Sequence, residues 1–229
     1  MRSVWLLTMT FVGIAWACLP MLRAQERGGF EDIFDGKSLN GWRGKPGFWS
    51  VSDGAITGET TQQNPIDRNT FLIFDKTASD FELRAKVRIL AGNSGIQFRS
   101  VDLGDFVVHG YQTDVDSTEK YLGDLYDEGG RGILAKGGDK VEIDEDGKKV
   151  VIGKTGDRRK ILGAVRWKKW NDYRVIVRGN RIIQKINGIL TVDVVDRDKN
   201  ARRDGILALQ LHAGVPMLVQ FKNLELKKF

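Results

Sequence analysis

Along residues 81–89 every second position is apolar. Phe81, Leu83, Ala85, Val87 and Ile89 alternate with Glu82, Arg84, Lys86 and Arg88. Period two sends each set to its own face of a sheet, one buried and one wet. Residues 93–100 repeat the arrangement, with Ile96 and Phe98 against Gln97 and Arg99. In residues 207–212 the leucines alternate with Ala208, Gln210 and His212. Further strands are predicted at 71–74, 173–177, 181–186 and about 217–226. Asp53-Gly54, Arg178-Gly179-Asn180 and Asn187-Gly188 supply turns. After residue 24 no segment holds a 3.6-residue apolar period for three turns. Many short strands with closely spaced turn signals predict one all-β sandwich or barrel. The stretch 102–160 is less regular and rich in glycine, and irregular insertions on a rigid sheet often carry function.

Composition narrows the class. The 229 residues are 41% hydrophobic and 29% charged, ordinary for a globular chain, and the length suits one large β domain. The single cysteine, Cys18, cannot form an internal disulfide, so packing must hold the fold. Residues 1–24 read as a secretory signal: Arg2, an apolar run from Val4 to Ala17, and Leu22-Arg23-Ala24 before Gln25. The run is short for a membrane span. Ala15-Trp16-Ala17-Cys18 also resembles a lipoprotein cleavage box. The expectation is export, to a periplasm or cell surface, with residues 25–29 as a linker, a single domain over 30–229 and no membrane span after processing. The net charge of +6 is interspersed. Its densest basic patches, 154–160 and 201–203, read as solvated loops, and no nucleic-acid motif accompanies them.

The polar slots of the alternating strands are unusual. Gln97, Arg99, Gln112, Asp114, Gln210 and His212 are spaced by two within their strands. If those strands share a sheet, all six share a face. Amide, guanidinium and imidazole groups make the directional hydrogen bonds that sugar hydroxyls and carbonyls require. The competing reading is a solvent-washed face. Neither His109 nor His212 has a metal-ligand spacing, and the site calls for no metal and no cofactor. Asp114 and Asp116 form a possible carboxylate pair for glycoside hydrolysis, or equally a strand-end pair that binds calcium or caps a turn. Asp127, Glu128 and Arg131 make another charged group, open to a simple salt-bridge reading. A sugar-stacking platform would need one of the tryptophans outside the signal to be exposed.

At these residues the chain resembles the 3-keto-disaccharide hydrolases, also described as 3-keto-glucoside lyases and hydratases and once called domain of unknown function 1080. The resemblance rests on Phe34-Asp35-Gly36-Lys37-Ser38-Leu39-Asn40-Gly41-Trp42, Asp53-Gly54-Ala55-Ile56 and Asn93-Ser94-Gly95-Ile96-Gln97-Phe98-Arg99. Gly110-Tyr111-Gln112 with Asp114, Leu125-Tyr126-Asp127-Glu128 and Leu209-Gln210-Leu211-His212 complete it. It implies a concanavalin A-like jelly-roll β-sandwich with a carbohydrate site on its concave face, and a substrate already oxidised at C3.

A 3-keto group acidifies the proton on C2. Its removal gives an enediolate, the oxygen on C1 leaves, and water adds across the new double bond. The route needs a base, an enolate stabiliser and an acid. His212 or Asp114 is the candidate base, Arg99 with Gln97 or Gln112 the stabiliser, and Tyr126 or Glu128 the acid. Gln210 joins Gln97 and Gln112 in binding substrate. Two rivals stand beside this reading: a non-catalytic lectin-like module and a conventional two-carboxylate glycosidase.

Overall fold

The computed structural model describes residues 28–229. The signal and Cys18 lie outside them. In chain order the strands are β1 (Glu31–Asp32), β2 (Trp42–Arg43), β3 (Trp49–Ser52), β4 (Ala55–Thr60), β5 (Thr70–Thr77) and β6 (Phe81–Ala91). Then come β7 (Asn93–Asp102), β8 (Val108–Asp116), β9 (Leu125–Glu128), β10 (Gly132–Ala135), β11 (Asp139–Ile143) and β12 (Lys149–Lys154). Helix α1 (Arg158–Ala164) precedes β13 (Asn171–Arg178), β14 (Arg181–Ile186), β15 (Ile189–Asp196), β16 (Ile206–Leu211) and β17 (Met217–Lys228). They form two sheets. Ten strands run β12-β11-β15-β14-β13-β6-β17-β4-β3, with β1 beside β17; seven run β10-β9-β8-β7-β16-β5-β2. The result is the expected all-β jelly-roll sandwich.

Alternation explains the core. Phe81, Leu83, Val87, Phe98, Leu209 and Phe221 are all buried between the sheets. Each such side chain contributes about 1.5–3 kcal/mol by leaving water. Phe98 stacks on Tyr111 at 5.6 Å between centroids and meets Phe81 edge-on at 6.0 Å. Asp53-Gly54 and Asn187-Gly188 each take positive φ at both residues, the two-residue turn geometry that suits strand twist. The patch at 154–160 departs from the loop expectation. Lys154 ends β12, and Asp157 caps α1 by accepting from the Arg159 amide at 2.8 Å.

One irregularity governs the site. Between Phe98 and Val101 the register of β7 against β8 slips. Arg99 sits there with φ of 45°. This is a bulge, with two residues opposite one. It is possible because both neighbouring strands approach with glycine: a Cβ at Gly110 or at Gly205 would run into Ser100 backbone. The bulge turns Arg99 away from the sheet's concave face. Its guanidinium donates to the Ser79 carbonyl at 2.8 Å, to the Gly179 carbonyl at 2.8 Å and to Asp80 Oδ1 at 2.8 Å. Gly179 lies in the β13–β14 turn of the other sheet, so Arg99 clamps the two sheets together. The assignment of Arg99 to the enolate oxygen is therefore corrected: all three guanidinium nitrogens are engaged, and the side chain is only 1% exposed.

Arg99→Ala is expected to lower stability by about 2–3 kcal/mol, because a buried side chain and its three hydrogen bonds, one of them to Asp80, are lost. Urea unfolding measures that loss. Turnover per folded molecule should be unchanged, whereas a fully stable but inactive variant would restore the original assignment.

Candidate functional site

Strands β8, β7 and β16 are adjacent, as the shared-face reading requires. Gln97 lies opposite Gln112, which lies opposite Tyr126; Gly110 lies opposite Glu128. The parity sends Gln97, Gln112, Asp114, Tyr126, Glu128 and Gln210 to the concave face, while Tyr111, Val115 and Leu209 enter the core. Gly95 opposes Asp114, and a Cβ there would strike the Gln112 side chain. The missing side chain is the space Gln112 occupies.

Five of those six side chains line a pocket of about 250 Å³, together with Asn69, Asn93, Tyr121, Ile133 and His212. Gln97 lies under it. A hydrogen-bonded chain crosses its floor. Ser100 Oγ donates to Gln97 Oε1 at 2.8 Å, Gln97 Nε2 to Gln112 Oε1 at 3.0 Å, and Gln112 Nε2 to Asp114 Oδ1 at 2.8 Å. These amides orient Asp114. On the opposite side, Glu128 is held by two amides. Asn69 Nδ2 donates to Oε1 at 2.9 Å and Gln210 Nε2 to Oε2 at 3.2 Å. Asn69 is itself fixed by the Ala213 amide, which donates to its Oδ1 at 2.9 Å. Buried Gln210 Oε1 has no partner among the described residues.

The carboxyls sit in different surroundings. Burial pushes Asp114 well above the ordinary carboxylate range; the Gln112 hydrogen bond opposes the shift, and the charges of Asp124, Asp116 and Glu128 add to it. Asp114 therefore retains a proton at pH values where an ordinary carboxyl has lost it. Asp124, in the turn behind it, is pushed up to about 6, chiefly by its own burial. Burial also raises the Tyr126 phenol, with Glu128 and Asp114 adding to the shift, so the hydroxyl stays a donor.

His212 falls one residue beyond β16, exposed at the pocket's rim. Its Nδ1 meets the Ala213 carbonyl at 2.6 Å, which assigns a proton to Nδ1. The Asp114–Asp116 pair dissolves. Asp116 accepts from the Thr118 amide at 2.8 Å and the Tyr121 amide at 3.2 Å, so it caps a turn. Asp127 pairs with Arg131 at 2.7 Å, and Arg131 reaches Asp196 at 2.8 Å. That is the salt-bridge reading, with Glu128 excepted. None of the tryptophans among the described residues lines the pocket; its aromatic walls are Tyr121 and Tyr126. Asn69, Asn93 and Tyr121 escaped the sequence reading because they stand at strand ends or in turns, outside any alternation.

The profile of the 3-keto-alpha-glucoside-1,2-lyase-like domain matches residues 29–227. The chain belongs to that family. No curated protein sequence matches it. Among solved structures it resembles the carbohydrate binding module CBM66 from Bacillus subtilis (15% identity, TM-score 0.56, 82% of this chain and 96% of that one). It also resembles a protein of Parabacteroides distasonis ATCC 8503 provisionally named a glycosyl hydrolase (18% identity, TM-score 0.58, 90% and 96%). A Bacillus subtilis protein of unknown function with a galectin-like fold aligns as well (11% identity, TM-score 0.55, 83% and 90%). At these identities the likeness is one of fold. Among the described residues no helix is long and apolar enough to cross a membrane.

The raised pKa of Asp114 carries a signed expectation for stability. Between the ordinary carboxylate value and its raised native value, the folded state holds a proton that the unfolded state has released. Stability contributed by this group therefore falls as pH rises through that window. Asp114→Asn, whose amide oxygen still accepts from Gln112, should make the decline shallower and leave the part that Asp124 contributes. Melting curves across the mildly acidic to alkaline range check this; an unchanged slope would refute it.

Proposed function

We propose that this family member cleaves 3-keto-glycosides by abstracting the C2 proton, expelling the C1 oxygen and rehydrating the product. The observation that carries the reading is the contrast between two carboxyls in one pocket: Asp114 buried and raised, Glu128 held by two amide donors. A carboxyl that burial keeps protonated can serve as the acid, and the amide-held carboxyl that faces it across the pocket as the base. Glu128 takes the C2 proton, its oxygens aimed by Asn69 and Gln210. Tyr126 donates to the enolate oxygen. Asp114, its Oδ1 occupied by Gln112, protonates the departing oxygen through Oδ2. Gln210 Oε1 accepts from a sugar hydroxyl, and His212 closes the rim. The family name and the fold shared with a carbohydrate-binding module support a sugar ligand.

The reading extends to export. Residues 1–24 would direct it, with removal after Ala24 or lipidation at Cys18. Mass spectrometry of the mature N-terminus discriminates these, and an intact cytosolic Met1 refutes both.

Purified protein should release the leaving group from a 3-keto-glucoside and leave the unoxidised parent intact. Cleavage of the parent instead would favour the two-carboxylate glycosidase, and binding without cleavage the lectin-like module. Glu128→Gln should lower kcat by about 10²–10⁴-fold for every keto substrate, the scale of lost general-base catalysis.

Asp114→Asn should behave differently. Its loss should be large for a sugar leaving group and small for a nitrophenolate, which departs without protonation. In the wild type, activity on sugar leaving groups should fall as pH rises through the raised Asp114 value. Equal losses for both leaving groups would remove Asp114 from the acid role.

A further inference from the structure

The outward face of the ten-stranded sheet lies on the other side of the sandwich from the pocket. On its four central strands, β6, β13, β14 and β17, the outward positions hold nine Lys or Arg side chains against three carboxylates. Arg2, Arg23, Arg27 and Glu26 lie outside the described residues, which leaves 33 basic and 29 acidic residues, a net +4, for residues 28–229. The excess on these four strands is larger than that total, so the other described residues together are net negative; at the edge of the patch Arg181 is matched by Asp193 on β15. Such asymmetry builds a field on one side of a molecule.

The register concentrates it further. Arg84 on β6 lies directly opposite Arg174 on β13, which lies directly opposite Lys185 on β14. Lys86 lies opposite Lys222 on β17. Like charges directly opposed across strands destabilise a sheet. Part of the cost is met locally, since Glu82 accepts from Arg84 at 2.8 Å and from Arg174 at 2.9 Å. Lys185 has no carboxylate partner among the described residues. Lys222 packs on the Trp170 ring at 4.2 Å, beside Arg88 at 4.8 Å. Between these strands runs a groove of about 300 Å³, lined by the four cations Arg84, Lys86, Arg174 and Lys185 and by the carboxylates Asp172 and Glu225, with Asp172 paired to Lys86.

We propose that this groove binds an acidic polysaccharide, one whose sugars carry carboxylates or sulfates, and so anchors the protein to polymer while the opposite face handles substrate. Cations repeat about every 6.5–7 Å along a strand and about 5 Å across strands, a lattice that a chain of regularly spaced anions can follow. Arg84 and Arg174 already share Glu82, so Lys185 is the cation that carboxylate or sulfate oxygens approach most directly. The groove presents no exposed large apolar side chain that would enter a bilayer. Trp170 carries two cations and is not a free platform for a nucleobase. The choice of a saccharide rests on the proposed sugar chemistry of the pocket; the anionic character rests on the face alone.

The test uses the full chain and polygalacturonate, with dextran as the neutral polymer, in binding titrations at about 50 mM and about 200 mM salt. Polygalacturonate should bind and weaken with salt, and dextran should not bind. Lys185→Glu combined with Lys222→Glu should weaken binding about tenfold or more, while Lys185→Arg retains it. Unchanged binding in the double variant, or equal binding of dextran, would overturn the proposal. Tighter binding of duplex DNA or of phosphatidylglycerol vesicles at equal charge would overturn it too. Turnover of a small 3-keto-glucoside should be unaffected by the double variant. Because binding is read without turnover, failure to cleave keto substrates would overturn the proposed function and leave this surface standing.

Discussion

The bulge at Arg99 and Ser100 is the constraint on which both the sandwich and the pocket rest. One extra residue in β7 does two things at once. It swings the Arg99 guanidinium toward the other sheet, where it meets two carbonyls and Asp80. It also returns Ser100 to the concave side, three residues after Gln97, where its hydroxyl anchors the amide chain that ends on Asp114. Without the slip, Ser100 would point into the core, and the chain Gln97-Gln112-Asp114 would lose its first donor. Gly110 and Gly205 permit the slip by leaving room at the bulge backbone. Bulges commonly re-aim side chains beside functional sites, and this one ties the clamp between the sheets to the alignment of a buried acid.

Electrostatics then divides the labour in the pocket. Asp114 sits on the floor, where burial penalises its charged form and three nearby carboxyls reinforce the penalty. Glu128 stands on the neighbouring strand with both oxygens receiving amide protons. Backbone pairing brings the two together, because β8 and β9 are joined in register with Gln112 opposite Tyr126. Glutamine and asparagine side chains, neutral at every pH, hold both carboxyls without adding a charge that would cancel the difference between them. The sandwich is thus polarised in a second sense, with neutral amides under the pocket and the cationic lattice on the far sheet.

Much of this was legible in the residues, and the failures have physical reasons. The alternation in 81–89 and 207–212 located strands and their buried faces correctly. Period two set the parity of Gln97, Gln112, Asp114 and Gln210, and the adjacency of β8, β7 and β16 makes that one face. Arg99 broke the pattern because a bulge shifts parity by one residue, and nothing in Phe98-Arg99-Ser100 marks it; the signal lay instead in Gly110 and Gly205 on the neighbouring strands. Asp116 shared the parity of Asp114, yet the turn that follows it took both its oxygens. The hold that Asn69 takes on Glu128, across 59 positions of sequence, is invisible to local reading. The helix at Arg158–Ala164 was hidden by its brevity, with Ile161 its one buried residue.

The central claim is that Glu128 removes the proton on C2 of a 3-keto sugar. The most direct measurement is proton NMR of a 3-keto-glucoside with the enzyme in heavy water, following deuterium at C2 in residual substrate and product. The account requires deuterium at C2 of the product, with incorporation abolished in Glu128→Gln. Product formed with its original C2 proton intact would contradict it, because cleavage would then have proceeded without the enolate.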